Sequence, residues 1–167
     1  MNYNEHEPGH DPLTPSPEQF GMKWHKFLIY FGLWASAFVN TTNGYNLLTG
    51  KVYGSVEKAA VMYEMYPSLG TGDKLVGVLY LLLALFAIYT RFELAGFKRD
   101  APKKLLALYV GNLVVGAVYV ALLCGTTRKP LSYYNFISEI ISSIIGCVLA
   151  VTLNKKYYDR REALFIH

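Results

Sequence analysis

Charged residues are scarce in this chain of 167 residues, and cysteine is almost absent. Asp, Glu, Lys and Arg make up 17% of the chain, against 53% hydrophobic and 15% aromatic residues. That balance excludes an ordinary soluble domain of this length, in which about a quarter of the residues carry charge. The two cysteines, Cys124 and Cys147, both lie in apolar runs, so the sequence predicts no disulfide framework.

The motifs of enzyme chemistry are missing as well. The chain has no glycine-rich phosphate loop, no nucleophile elbow and no clustered pair of carboxylates. Near the amino terminus, Pro8 and Gly9 interrupt the spacing that would bring His6 and His10 together on a metal ion. His25 adjoins a predicted helix and is expected at its membrane edge. The sequence therefore predicts a protein that is not an enzyme and that has no cofactor and no metal site.

In place of motifs, the sequence has four long uncharged runs. A helix of about 20 apolar residues crosses the roughly 30 Å hydrocarbon core of a bilayer. We predict spans at about residues 24–42, 73–92, 104–125 and 133–154. Because a backbone in lipid must satisfy its own hydrogen bonds, the spans are helices, and the predicted fold is an all-α, four-helix transmembrane bundle. A Pro-rich tail (1–22) precedes this domain (23–155), and a basic, aromatic tail (156–167) follows it.

Lysine and arginine are distributed unevenly between the two sides of the four predicted spans. Eleven fall on the side that holds both chain ends, and five fall on the other. Since cytoplasmic loops carry the excess, both termini are predicted to be cytoplasmic. On the outer side, "SVEKAAVMYEMYP" has apolar residues at three-to-four spacing and predicts a short amphipathic helix ended by Pro67. The net charge of +4 then reflects topology and anionic lipid, and no nucleic-acid partner is predicted.

The fourth run carries a row of small residues. Residues four apart stack on one helical face, and here they are Ser138, Ser142, Gly146 and Ala150. Such a row lets another helix approach closely in a membrane. The first run has a matching row that includes Gly32 and Ser36. We therefore predict that the fourth helix packs by its small row against the first or the third.

A carboxylate, Glu139, borders that row, with Ser143 one turn further on. At 1.5 Å per residue it lies on the order of 9 Å below the outer surface, near Asn40 and Asn43, while Asn112 is deeper and out of its reach. One interpretation is a site that binds or relays a proton, a cation or a polar substrate group. The other is a hydrogen-bonded pin between helices, or a side chain that reaches the headgroups. The lack of a second, deeper ionisable group favours the structural interpretation.

Basic residues interleaved with aromatic ones follow the second and fourth spans. Aromatic rings settle at the membrane interface while lysine and arginine contact lipid phosphates, so these segments are predicted to anchor helix depth. A docking surface for a partner protein is the alternative. The predicted lipid-interface residues are Lys103, Lys104, Lys155, Lys156, Arg160 and Arg161.

The stretches "MKWHKFLIYFGLWASAFVN", "YTRFELAGFKRDAP" and "LNKKYYDRREALF" resemble small multi-pass membrane proteins of Gram-positive gut bacteria, a group without an assigned activity. The resemblance runs from Met22 onward and implies a bacterial cytoplasmic membrane protein. Some of those proteins have a zinc-ribbon head, which the cysteine-free head of this chain excludes.

Taken together, these features predict a non-enzymatic interaction or assembly subunit. Its partners would be membrane lipids and either another membrane protein or further copies of itself. The alternative is a small transporter or channel component, working as an oligomer, that uses Glu139 as a proton or cation site.

Overall fold

A computed structural model of the chain describes residues 21–130, 132 and 136–165, so almost all of the predicted Pro-rich tail lies outside the described residues. Every regular element in those residues is helical, which confirms the all-α prediction. The elements are α1 (Lys23–Phe27), a π-helical turn (Leu28–Gly32), α2 (Leu33–Thr49), a 3₁₀ turn (Lys51–Tyr53), α3 (Val56–Met65), α4 (Pro67–Ala95), α5 (Ala101–Thr127), α6 (Phe136–Asp159) and a last 3₁₀ turn (Glu162–Leu164).

Three helices are long and apolar enough to cross a membrane. They lie at Pro67–Ala95, Ala101–Thr127 and Ile137–Asp159, and they correspond to the second, third and fourth predicted spans. The first predicted span is divided by the π-helical turn, and α2 by itself has 17 residues. A count of four spans and the cytoplasmic position of both ends therefore stay predictions.

The helices run back and forth between two ends of the bundle. One end carries α3 and is called the α3 end. The other carries α1, the α4–α5 turn and the last 3₁₀ turn, and is called the terminal end. Arg91 of α4 donates from Nε to the carbonyl oxygen of Ile29 in the π-helical turn, at 3.4 Å. A side chain of a neighbouring helix thus forms a hydrogen bond with the backbone of this turn.

Helices α2 and α4 pack with their backbones close together. A Cβ added to Gly44 would lie 2.9 Å from the carbonyl oxygen of Gly77, and one added to Gly77 would lie 3.0 Å from Cγ of Leu48. The two backbones therefore touch where neither has a side chain, as in other close crossings of membrane helices. Small residues do bring two helices together in this chain, but the helices are not the ones that the sequence predicted.

Helix α4 begins two turns before the predicted span. Pro67 occupies its first turn, where a missing N–H costs no hydrogen bond, and Tyr66 is its N-cap. The predicted loop helix is present as α3, which Ser55 caps by accepting a bond from the backbone N–H of Lys58 at 3.3 Å. Because α4 starts early, Asp73 lies well inside a helix and not at its beginning.

The terminal end holds the larger of the hydrophobic clusters. Leu33, Leu94 and Leu105 are buried there, and Leu164 and Phe165 fold back onto them beside Tyr158. The predicted tail after residue 155 is thus not a free segment over its described part: α6 continues to Asp159 and the residues after it are packed. Burial of apolar side chains holds this segment in place.

Candidate functional site

A cavity of about 430 Å³ opens between α5 and α6, and we call it the groove. It runs from the α3 end toward the middle of the bundle. It has the mixture of many apolar walls and a few polar groups that is typical of binding sites. Its lining residues are Tyr80, Asn112, Leu113, Gly116, Ala117, Tyr119, Val120, Glu139, Ile140, Ser143 and Ile144.

Three of the predicted polar residues lie at the groove. Glu139, Ser143 and Asn112 all line it, and no described contact joins Asn112 to Glu139, so the prediction that Asn112 is too deep to touch the carboxylate stays a prediction. The amide of Asn112 donates to the carbonyl oxygen of Leu108 at 2.8 Å in its own helix. Its other polar atom is an acceptor, so the lining of the groove includes acceptors from an amide and from a carboxylate.

Glu139 lies in the first turn of α6 and is exposed. A negative charge is favourable there, because the N-terminal turn of a helix carries positive partial charge. Among the described residues the carboxylate makes no hydrogen bond or ion pair that would pin it to another helix. A pin to another described helix is therefore not formed, and a side chain that reaches the headgroups or binds a ligand stays a prediction.

The other predicted asparagines are placed elsewhere. Asn40 is buried in α2, and Asn43 is exposed on the same helix. Neither belongs to the described lining of the groove. No described hydrogen bond joins Glu139 to either residue, so their predicted neighbourhood stays a prediction.

The small-residue row of α6 is open. Ser138, Ser142 and Gly146 are exposed, Ala150 is half-buried, and a Cβ added to Gly146 would meet nothing within 4 Å. A second cavity, of about 410 Å³, separates Ser36 of α2 from Gly146 and Ala150. Within the described chain the row does not pack against the first or third helix as predicted; open space lies there instead.

Gly32, the other member of the predicted packing pair, lies in the π-helical turn. The atom nearest to a Cβ added there is Cδ2 of Leu28, at 3.3 Å in the same turn. Gly32 therefore contacts its own helix more closely than any neighbour, and it does not bring a second helix near.

The predicted lipid-interface residues divide into two groups. Lys155, Lys156 and Arg160 are exposed. The others bind groups of the chain itself. Lys103 pairs with Asp100 at 3.0 Å, and Lys104 pairs with Glu93 and donates to the Tyr89 hydroxyl at 3.0 Å. Arg161 donates to the carbonyl oxygens of Tyr157 at 3.0 Å and Gly21 at 3.2 Å. The Lys103 ammonium holds the pKa of Asp100 below its usual range.

A buried acid, which the sequence did not reveal, lies at the α3 end. Asp73 of α4 has 0% exposure, and its Oδ2 accepts hydrogen bonds from the hydroxyls of Tyr53 at 2.8 Å and Tyr63 at 3.0 Å. Tyr119 of α5 brings a third hydroxyl beside that of Tyr53. The predicted span 73–92 begins at Asp73, so the sequence places this residue at a helix end. Pro67 is the signal that could have placed the helix start two turns earlier.

A buried histidine lies at the terminal end. The Nδ1 of His25 is 3.1 Å from the Tyr158 hydroxyl, and its ring stacks on Phe97 with centroids 5.0 Å apart. Its Nε2 is buried and has no partner in the described ranges. Next to it, Trp24 donates from Nε1 to Oδ1 of Asn154 at 2.9 Å and ties α1 to α6. The position of His25 at a membrane edge stays a prediction; its burial against Tyr158 and Phe97 is what the sequence did not reveal.

No protein-family model matches the chain, and no significant match is found among curated proteins or among solved structures. The resemblance to multi-pass bacterial proteins therefore stays a prediction.

Proposed function

We propose that the protein is a non-enzymatic assembly subunit of a bacterial cytoplasmic membrane, which crosses the bilayer four times with both ends in the cytoplasm. Its function is to associate, and the contact surface is the exposed face of α6. The uneven distribution of lysine and arginine supports the orientation. Labelling of single cysteines placed in the two tails tests it, since tails on opposite faces would contradict four spans.

The observation that carries the proposal is the exposure of α6. In the most apolar 18-residue window of each candidate span, 28% of the residues are buried in α4, 17% in α5 and 6% in α6. Exposed isoleucines on α6 suit lipid. Its exposed Ser138, Ser142 and Gly146 gain little from lipid, but they suit a second helix whose backbone approaches closely.

A second copy of the chain is the partner that this face fits best. Two copies with the same topology present their α6 helices in parallel, and a row that repeats every four residues matches itself across a two-fold axis. The space beside Gly146 is open within the chain and can receive a partner backbone. The resulting assembly would also cover the mouth of the groove at Ser143 and Ile144.

Gly146→Leu tests this contact. A Cβ at Gly146 meets nothing within 4 Å and the position lines a cavity of about 410 Å³, so the fold should accommodate the leucine, whereas a partner helix would be pushed away. Gly125→Leu is the matched control, because a Cβ at Gly125 of α5 also meets nothing within 4 Å. Energy transfer between two labelled populations in liposomes should show association for the wild type and Gly125→Leu, and its loss for Gly146→Leu. Equal association of all three proteins would contradict the proposal.

The groove favours a second candidate, a small transporter or channel component. It gathers Glu139, Asn112 and Ser143 with the rings of Tyr80 and Tyr119, and a carboxylate among aromatic rings suits a cation. Reconstituted protein with Glu139→Gln should then lose proton or cation flux that the wild type shows. Equal flux in both proteins would eliminate this candidate and leave the assembly subunit.

A further inference from the structure

Asp73 at the α3 end has only half of its carboxyl group satisfied. Oδ2 accepts the hydroxyls of Tyr53 and Tyr63, whereas Oδ1 is equally buried and has no partner among the residues that the structure describes. A buried polar atom without a partner is rare in a folded protein and points to something that the atom binds.

The groups that act on the Asp73 carboxyl are the hydroxyls of Tyr53 and Tyr63, and no lysine or arginine is among them. Lys74, the next residue along α4, is exposed.

The groups that face Asp73 are hydroxyls from three elements: Tyr53 from the 3₁₀ turn, Tyr63 from α3 and Tyr119 from α5. Burial and the nearby carboxyl raise the pKa of Tyr63 to about 12, and burial followed by the neighbouring Tyr119 raises that of Tyr53 further. Both tyrosines thus keep their protons near neutral pH and act as donors.

The side chains around Asp73 offer few ligands for a metal ion. Its hydrogen-bond partners are the hydroxyls of Tyr53 and Tyr63, and the described residues contain no group of three or more His, Cys, Asp or Glu side chains that could hold a metal. A metal cation would need several oxygen ligands around it. A proton needs no added volume, and it removes a charge whose burial costs more than that of an unpaired neutral group.

Residues 51–65, which we call the cap, cover this acid. Tyr53 and Tyr63 belong to the cap, and Gly50 and Gly54 flank its 3₁₀ turn with φ of 73° and 95°. We propose that Asp73 is a proton-binding site closed by the cap, and that release of its proton opens the cap. On release, the proton on Oδ1 passes to water that enters as the cap lifts, and the carboxylate becomes hydrated. This site is separate from the α6 contact and does not rest on it.

Amide exchange of the cap tests the proposal in full-length protein in lipid nanodiscs. After correction for the intrinsic effect of pH, the opening constant of residues 56–65 in the wild type should rise about tenfold per pH unit once Asp73 titrates. Asp73→Asn should stay closed throughout, because its amide oxygen still accepts the two tyrosines. Asp100→Asn, a neutralised exposed acid, should follow the wild type. A wild-type cap with no pH response, or a response that Asp73→Asn shares, would overturn the proposal.

Infrared spectroscopy of the wild type gives a readout that needs no variant to fold. A protonated-carboxyl band should disappear over the same pH range in which the cap opens. No such band while the cap is closed would overturn the proposal. So would a cap that added Na⁺ or Ca²⁺ keeps closed at constant pH, since the occupant would then be a cation.

Discussion

Helices α4 and α6 are both apolar enough to cross a membrane, yet they are packed in opposite ways. Helix α4 touches α2, α3 and α5, with glycines where neighbours approach most closely. Helix α6 has its main helix contact with α5, and its glycine faces open space. Hydropathy therefore identifies helices for the membrane, but the atoms next to each small residue decide which helix holds the fold and which one is free to associate.

The largest expected effect is at the α2–α4 contact. Gly77→Leu would drive a side chain into Leu48 and the backbone of Gly44, and overpacking of that kind should destabilise the protein by about 3 kcal/mol. Equilibrium unfolding in detergent measures it. The same substitution at Gly146 should change stability by less than about 0.5 kcal/mol. Similar losses at both positions would remove the difference between the two helices.

The second-largest effect is expected in the cap, which covers α4. In the described chain no such segment covers α6. Gly50→Ala places a side chain at φ 73° and 2.5 Å from Cβ of Ala59, so we expect a loss of about 2 kcal/mol. Amide exchange should become faster in residues 56–65 and stay unchanged at the terminal end. Uniform acceleration would instead mean that the cap unfolds together with the whole bundle.

A smaller effect is expected where α6 is anchored. Asn154→Leu removes the acceptor for the indole of Trp24, but Trp24 is 41% exposed and can find another partner. The net loss should therefore be about 1 kcal/mol. Trp24→Phe should cost a similar amount, and the double variant should cost no more than either one. Additive losses would show that the hydrogen bond does not couple α1 to α6.

The smallest effect is expected for Glu139→Gln. The carboxylate is exposed and has no hydrogen bond in the described chain, so it contributes a helix-terminal charge effect of about 0.5 kcal/mol. Thermal unfolding at low and high salt measures this contribution, which salt should reduce further. A loss above about 2 kcal/mol would restore the interpretation of Glu139 as a pin between helices.

The sequence predicted the helices better than their contacts. Uncharged length is a local property, so runs between charges located α4, α5 and α6 to within about two turns. Pro67 marks both the end of α3 and the start of α4, and reading it only as an end put Asp73 at a boundary. Burial of Asp73 depends on Tyr53 and Tyr63, and neither is a neighbour along the helix.

The candidate site could be predicted in part. Glu139, Ser143 and Asn112 were selected because polar groups are energetically costly in apolar runs, and all three line the groove. Asn40 and Asn43 were selected for the same reason and are not in its described lining, because depth gives no information about which side of a helix a neighbour occupies. The row at Gly146 shows the same limit: spacing reveals that a face is small, and not whether another helix covers it.

The π-helical turn at Leu28–Gly32 determines which residue of the first helix enters the terminal core. On an uninterrupted α-helix each residue advances about 100° around the axis, so the direction of Leu33 and Ala37 would be continued by Lys26. The extra residue in the wide turn shifts everything before it by one position, and His25 takes that direction while Lys26 is exposed. Removing one residue from the turn would leave His25 pointing in the direction of Leu33 and Ala37. Removing one residue from α2 would instead rotate the whole amino-terminal segment away from Tyr158.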